Sequence, residues 1–574
     1  MSNRDDREGS GGPRPASQET CRPDCSCQPT SGGVYRCRSH ARLAGGSGRR
    51  ATLNPVSVLN PAAPSTTRSD AALAPRPSAC PGLLRIVSAR DGGICRIKLA
   101  GGVLSAAQAE AVAAASEQHA AGVVEVTNRA NLQIRGVREG HESALIDMLL
   151  DAQLGPLSGF TAAADDVRNV MLSPLAGRDP ACLFDTRDLC ADLLALLQGD
   201  ARFAALSPKF ALLLDGGEAL ARLDHPHDIW IAATPGEDGV RFVFGLAGGP
   251  PPATRRDPDS RDGTPVKATG RLGQDCAPDC NVVAAVMNPR SAALVAVLPT
   301  QVVAVVRALL HMFLDLAPVD ATRMRHLLAT HAPDALLQHA QRYLDFPLTH
   351  DPALATWQRA TPVDATLRLG AHPQRAAGEL HRWHMRQRWH VGGQPPLGRL
   401  DAAALRGLAA LAHRHGDGTL HMTPWQSVLL TDVARESTGA VLDALQALGL
   451  ACDAGDPLAR VIACAGSAGC VKSHADTKAD ALRVAARLPD GVEVHLSGCS
   501  RSCAAAACAP YTLLAVSPGM YDLYRRDTSP GEASLGDTSP GDASPDFGAS
   551  VARQLTIEQA AAMLEQLARS PLDA

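Results

Sequence analysis

Aromatic side chains are scarce, at 3% of the 574 residues, and no apolar run is long and unbroken enough to read as a membrane span. The most apolar stretch, Ser291 to Pro318, is interrupted by Pro299, Gln301, Arg307 and His311. It reads as a strand followed by a buried core helix. The first ten residues are charged and polar with no apolar h-region, so no secretory signal is expected and the expected location is cytoplasmic. An excess of one charge is also lacking. A net charge of −4 gives no electrostatic ground for nucleic acid or an anionic membrane as a partner. Within the region expected to fold there is no Gly-rich nucleotide fingerprint. The Gly45-Gly46-Ser47-Gly48 run has no strand before it and reads as linker.

What the sequence does have is cysteine, sixteen residues in all. In a reducing compartment these are expected as thiols or metal ligands rather than disulfides. Cys95, Cys182, Cys190 and Cys452 stand singly in apolar surroundings and are expected as small buried hydrophobes. Cys21, Cys25, Cys27 and Cys37 fall in residues 1–78, a Gly/Ser/Pro/Arg-rich stretch read as a disordered extension. Residues 248–279 and 527–548 are likewise expected to be mobile surface insertions.

Between these segments the chain repeats itself. Leu104-Ser105-Ala106-Ala107 opens a helical pattern that ends near Gly122, and Val123 to Thr127 follows as a strand. Leu400-Asp401-Ala402-Ala403 opens another that ends near Gly418, followed by Thr419 to Thr423. The spacing from Leu to Thr is identical in the two, and a second strand and a second helix follow each. Ser105 and Asp401 suit N-caps. The duplication predicts an α+β module used twice, pseudo-twofold, with a cleft between the halves for a large flat ligand.

The densest chemistry lies near the C-terminus. Cys464 and Cys470 are separated by five residues, Cys499 and Cys503 by three. A β-like run precedes each pair, so both sit on turns at strand ends. Four thiolates among small residues suit a cubane [4Fe–4S] cluster, whose sulfurs accept from nearby backbone amides. A four-cysteine zinc site and unrelated core thiols are the alternatives. Zinc ribbons favour tighter spacing, which weighs against the first.

These paired spacings resemble the cluster motif of the sulfite and nitrite reductase family, and other segments agree. Thr127-Asn128-Arg129 running on to Gln133-Ile134-Arg135 resembles the family's T-x-R-x-x-x-Q strand. Asp165-Asp166-Val167-Arg168-Asn169-Val170 resembles its D-x-x-R-N-V segment, and Leu206-Ser207-Pro208-Lys209-Phe210 its active-site lysine run. The resemblance implies duplicated ferredoxin-like half-domains at 79–156 and 375–450. It also implies two α/β cluster/haem-type domains at 157–345 and 451–574. It implies that Cys464, Cys470, Cys499 and Cys503 hold the cluster, with Cys503 bridging to sirohaem in the reductases. Arg129, Arg168, Lys209, Gln133, Arg135 and Asn169 are the implied tetrapyrrole-binding residues, since guanidinium groups pair with carboxylates in two-point fashion.

Departures from the reductases matter. Their second lysine falls here on Ala211. Cys80-Pro81-Gly82-Leu83-Leu84, Ser173-Pro174-Leu175-Ala176-Gly177, Thr423-Pro424-Trp425-Gln426 and His495-Leu496-Ser497-Gly498-Cys499 are similar to the precorrin-3B synthases of that superfamily. Against that pattern stand Arg501, His421 and the Ala-rich run Ala504 to Ala507. That likeness implies precorrin-3A and O2 as substrates, hydroxylation at C20 with γ-lactone closure, a [4Fe–4S] cluster and a mononuclear non-haem iron. Electrons would come from an external NADH-dependent donor. Ligands for the single iron are not legible, and His225-Pro226-His227-Asp228 reads first as a polar turn before a strand. His474 and His495 are expected to pack or hydrogen-bond. A sirohaem-dependent sulfite or nitrite reductase is the alternative, and a non-catalytic cluster sensor a third reading.

Overall fold

The computed structural model describes residues 80–157, 161–253, 292–318, 320–375, 388–505, 509–526 and 547–569. The N-terminal cysteines, Cys508, nearly all of the two proposed insertions and part of the Ala-rich run therefore lie outside the described residues.

Four five-stranded sheets carry the fold. Two are wholly antiparallel and arise from the repeat. The first runs Val87–Ala89, Gly92–Ile97, Leu132–Val137, Val123–Val126 and then Arg399–Asp401, a strand from the other repeat. The second runs Gly370–Gln374, Arg388–Gly393, Val428–Ala434, Thr419–Met422 and then Val103–Ser105, again from the other repeat. The exchange is reciprocal and keeps register: Leu400 pairs with Val124, and Leu104 pairs with Leu420. The sequence pattern had placed these three-residue strands inside the helix starts.

The caps are as expected. Ser105 Oγ accepts from Gln108 N at 3.1 Å and Asp401 Oδ1 accepts from Ala404 N at 2.7 Å. They open helices Ala106–His119 and Ala402–His415. These two helices pack on each other and the halves share one hydrophobic core, including Leu104, Val112, Ile134, Leu400, Leu405 and Leu430. The helices therefore fill the space between the halves on their core side. Each half turns its Thr loop toward an α/β sheet.

Those α/β sheets are themselves alike. One orders Val170–Met171, Leu212–Asp215, His227–Gly236, Gly239–Gly248 and Val295–Val297; the other orders Val461–Ala463, Val494–Ser497, Tyr511–Ser517, Met520–Arg525 and Ala549–Thr556. In both, the first three strands are parallel and the rest antiparallel. Helices Val302–Leu316 and Ile557–Arg569 follow the last strands. The duplication therefore extends over both types of domain. Helix Val302–Leu316, with the turn before it, is apolar enough in composition to cross a bilayer. Its Val305, Val306, Leu309, Leu310 and Phe313 are instead buried in the first α/β core, as a strand-then-core-helix reading requires.

The exchanged strands should bear much of the stability. Leu400→Ala, at a site only 2% exposed, is expected to cost about 2–5 kcal/mol in urea unfolding. The exposed Leu157→Ala should cost under about 0.5 kcal/mol.

Candidate functional site

The four cysteines come together. Cys464 follows strand Val461–Ala463, Cys470 closes the short helix Gly466–Gly469, and Cys499 and Cys503 follow strand Val494–Ser497. Both pairs thus leave the carboxyl ends of adjacent parallel strands, where α/β sheets commonly place their sites. Desolvation pushes the Cys503 thiol up, and the negative charges of Cys499, Cys464 and Cys470 push it further. The four sulfurs therefore lie near enough to act on one another's charge.

The surroundings fit a cubane. Gly498 N donates to Cys464 Sγ at 3.2 Å, and Thr477 Oγ1 lies 3.4 Å from the same sulfur. A Cβ on Gly498 would fall 1.9 Å from Ser473 Oγ and 3.3 Å from Cys464 Sγ, so only glycine fits beside the sulfur. Among the described residues no three His, Cys, Asp or Glu side chains converge to hold a single metal ion. A tetrahedral zinc ion draws its ligands to one point. A cubane holds each thiolate on a separate iron.

The other cysteines behave as core. Cys95, Cys182, Cys190 and Cys452 are buried. Burial pushes the Cys182 and Cys190 thiols up to about 12 and that of Cys452 to about 11, which keeps them protonated.

The cysteine loops dock on the first antiparallel sheet. Asn128 Nδ2 donates to Cys503 O at 3.4 Å and Arg90 Nη1 to Ser467 O at 3.2 Å. Arg135, expected at the tetrapyrrole, is instead committed to this joint. Its Nε and Nη2 donate to the two Asp91 oxygens at 2.8 Å each, and Nη2 also reaches Gly469 O at 2.9 Å.

Beside Arg135 runs a row of register partners across four strands: Arg96, Gln133, Glu125 and Arg399. Arg96 Nη2 donates to Gln133 Oε1 at 2.9 Å, Gln133 Nε2 to Glu125 Oε2 at 3.2 Å, and Arg399 Nε to Glu125 Oε1 at 2.9 Å. Lys478 meets Glu125 from the cysteine domain at 3.7 Å and donates to Leu397 O at 2.8 Å. Burial opposes the Glu125 charge, yet Lys478, Arg135 and Arg399 outweigh it and hold the carboxyl below its usual range. Gln133 is therefore a relay that orients Arg96, a residue the motifs did not single out. The missed signal is alternation: Arg96 and Lys98 interleave with buried Cys95, Ile97 and Leu99.

The remaining candidates divide. Arg129 sits on the tight turn after strand Val123–Val126, where Thr127 Oγ1 accepts from the amides of Arg129 and Asn131. Ala130 there has φ 55°. Arg129 Nε donates to His225 Nε2 at 3.3 Å, and Arg129 has no carboxylate partner among the described residues. Burial, then Arg323 and Arg96, lower its pKa to about 10, so it is still a cation. Lys209 is exposed with no ion pair among the described residues. Arg168 and Asn169 are corrections. Arg168 donates to Leu154 O, Asp165 Oδ1 and Lys98 O, and Asn169 Nδ2 to the carbonyls of Asp166, Pro208 and Phe210. Both brace the backbone, and Asn169 fixes the Lys209 loop.

The repeat unit's second copy places Trp425 where the first has Arg129. Thr423 Oγ1 accepts from the amides of Trp425 and Ser427, and Gln426 has φ 66°. Arg222 lies over the Trp425 ring at 5.5 Å. His421 is buried among Thr419 and Thr431, and His495 is buried in its strand. His225 and His227 are also buried rather than on an exposed polar turn. Asp228 accepts from Arg323 Nε, Met324 N and Ala211 N, so it is structural.

Comparisons with known proteins agree with this architecture. The nitrite/sulfite reductase ferredoxin-like half domain matches residues 88–152 and 384–448, and the nitrite and sulphite reductase 4Fe-4S domain matches 163–348. The chain belongs to the nitrite and sulfite reductase family. The 4Fe-4S domain match covers the first α/β sheet, while the four cysteines lie in its structural counterpart. A chloroplastic ferredoxin–nitrite reductase of Zea mays is 28% identical, over 71% of this chain and 67% of that protein. A precorrin-3B synthase of Sinorhizobium sp is 24% identical, over 77% of this chain and 82% of that one. The solved NirA protein of Mycobacterium tuberculosis shares the fold, with a TM-score of 0.61 at 20% identity, covering 83% of this chain and 80% of that one. Homologues of this family are iron–sulfur oxidoreductases.

These placements separate two arginines that look equivalent in sequence. Arg129→Ala should weaken binding of a polycarboxylate tetrapyrrole about tenfold or more with little change in thermal unfolding. Arg168→Ala should do the reverse, losing about 3 kcal/mol of stability by leaving buried Asp165 uncompensated. Titration and melting of both variants check the pair.

Proposed function

We propose that the chain is a cluster-dependent monooxygenase of precorrin-3B synthase type, with a tetrapyrrole as substrate rather than resident cofactor. The observation that carries this reading is at residue 211. Where the reductases place their second active-site lysine, this chain has Ala211, 4% exposed, its amide donating to Asp228 Oδ2 at 2.9 Å. A site for multi-electron reduction of a small anion lacks that proton-donating cation. Arg96, Arg129 and Lys209 supply cations suited to macrocycle carboxylates.

Cys464, Cys470, Cys499 and Cys503 would hold a [4Fe–4S] cluster, which supplies electrons singly when bound. The chain's own residues do the rest. Arg96, oriented by Gln133, and Arg129 draw the macrocycle's carboxylates toward the Cys503 loop, and Asn128 holds that loop against the sheet. Orientation of this kind lowers the barrier by fixing the reacting position before reaction. One oxygen atom of O2 enters the macrocycle and the other leaves as water, with two electrons and two protons from outside. A separate NADH-dependent donor is the expected source. For a mononuclear iron the described residues offer no three-ligand set, so no step is assigned to one.

The test is turnover. Purified protein with precorrin-3A, O2 and a reductant should yield a product heavier by one oxygen atom, with the label of 18O2 incorporated. Unchanged precorrin-3A, together with reduction of sulfite or nitrite by the same preparation, would replace this reading by the sirohaem reductase.

A further inference from the structure

Two buried imidazoles have no role in the account so far. His225 and His227 are 3% and 1% exposed, with ring centroids 5.0 Å apart, where the chain enters strand His227–Gly236. His225 Nε2 accepts from Arg129 Nε at 3.3 Å. A guanidinium does not give up its proton, so the His225 ring proton resides on Nδ1. That buried N–H has no acceptor among the described residues. The His227 ring finds only a loose approach to the His225 backbone. An unmet buried donor is costly, and at a site it points to a ligand.

Charge decides which ligand. Arg129 from the Thr127 turn, Arg222 from the loop before His225 and Arg323 from the segment before helix Met324–Leu328 all face the pair. The opposing carboxylates are already engaged, Asp224 by Arg222 at 2.7 Å and Asp228 by Arg323 at 2.9 Å. Burial and these cations hold both imidazoles neutral, His227 down to about 3. A divalent cation placed here would meet three guanidinium groups. A carboxylate would meet the free His225 Nδ1–H in the field of these cations, with Arg129 fixing the tautomer from the opposite ring nitrogen.

We propose that His225 and Arg129 form a subsite for one carboxylate side chain of the bound macrocycle, with His227 packed behind it, rather than a pair of iron ligands. This rests on the tetrapyrrole reading above and assigns a residue to it that the family motifs do not.

The experiment titrates the full-length protein, by fluorescence, with uroporphyrin and with its octamethyl ester, which lacks the charges. His225→Phe and His225→Leu differ in size, so loss of fold in one leaves the other; His225→Gln restores an N–H. Thermal unfolding of each is followed in parallel. The subsite requires uroporphyrin affinity to fall about tenfold in the apolar variants, with partial rescue by glutamine and no change for the ester. Equal uroporphyrin affinity in a folded apolar variant overturns the subsite and leaves the tetrapyrrole reading standing. Wild-type protein that takes neither compound removes that reading, and the subsite with it. Fe(II) bound by the wild type and lost in the variants would make the pair a metal site and overturn the carboxylate assignment.

Discussion

The reciprocal exchange of one short strand between the two repeats is the constraint on which the rest depends. Arg399–Asp401 completes the first antiparallel sheet and Val103–Ser105 completes the second. Neither half can close its sheet or bury its helix alone. Because the exchange keeps register, it fixes where each Thr turn emerges, with Arg129 on one and Trp425 on the other. It also brings Arg399 into line with Glu125, the carboxylate on which the buried polar row is centred.

That row explains how a sheet that contributes none of the four clustered cysteines can serve their site. The strand face carrying Ile97, Leu132, Ile134 and Val124 makes the core. The opposite face carries Arg96, Gln133, Glu125 and Arg135, and receives the cysteine domain through Lys478 and the Gly469 carbonyl. The buried charges of Glu125 and Arg135 are tolerated because they are paired and hydrogen-bonded; Arg96 is held by the Gln133 amide instead. The row spans from Lys478 to Arg96; burial lowers the pKa of both cations and the Glu125 carboxylate opposes it. One polar network therefore runs from the cysteine domain, at Lys478 and the Gly469 carbonyl, across the sheet to Arg96.

Much of this was legible in the residues. Caps at Ser105 and Asp401, matched glycines and equal spacing disclosed the antiparallel repeat, since such signals are local. The cysteine pairs disclosed their turns for the same reason. The second duplication was not legible, because its two α/β sheets share strand order rather than sequence pattern. Side-chain direction was also hidden. Arg135 and Arg168 sit in segments that look like binding motifs, yet their donors go to Asp91, Gly469 and Asp165. His225 read as a polar turn before a strand because its partner Arg129 is remote in sequence.

The central claim is that this family scaffold keeps its four-cysteine centre while its tetrapyrrole has become a substrate. A UV–visible spectrum of anaerobically purified protein, with iron and acid-labile sulfide analysis, tests it most directly. The account predicts a broad iron–sulfur absorption with iron and sulfide in similar amounts and no Soret band. A sharp Soret band from tightly held sirohaem, or protein with no sulfide at all, would contradict it.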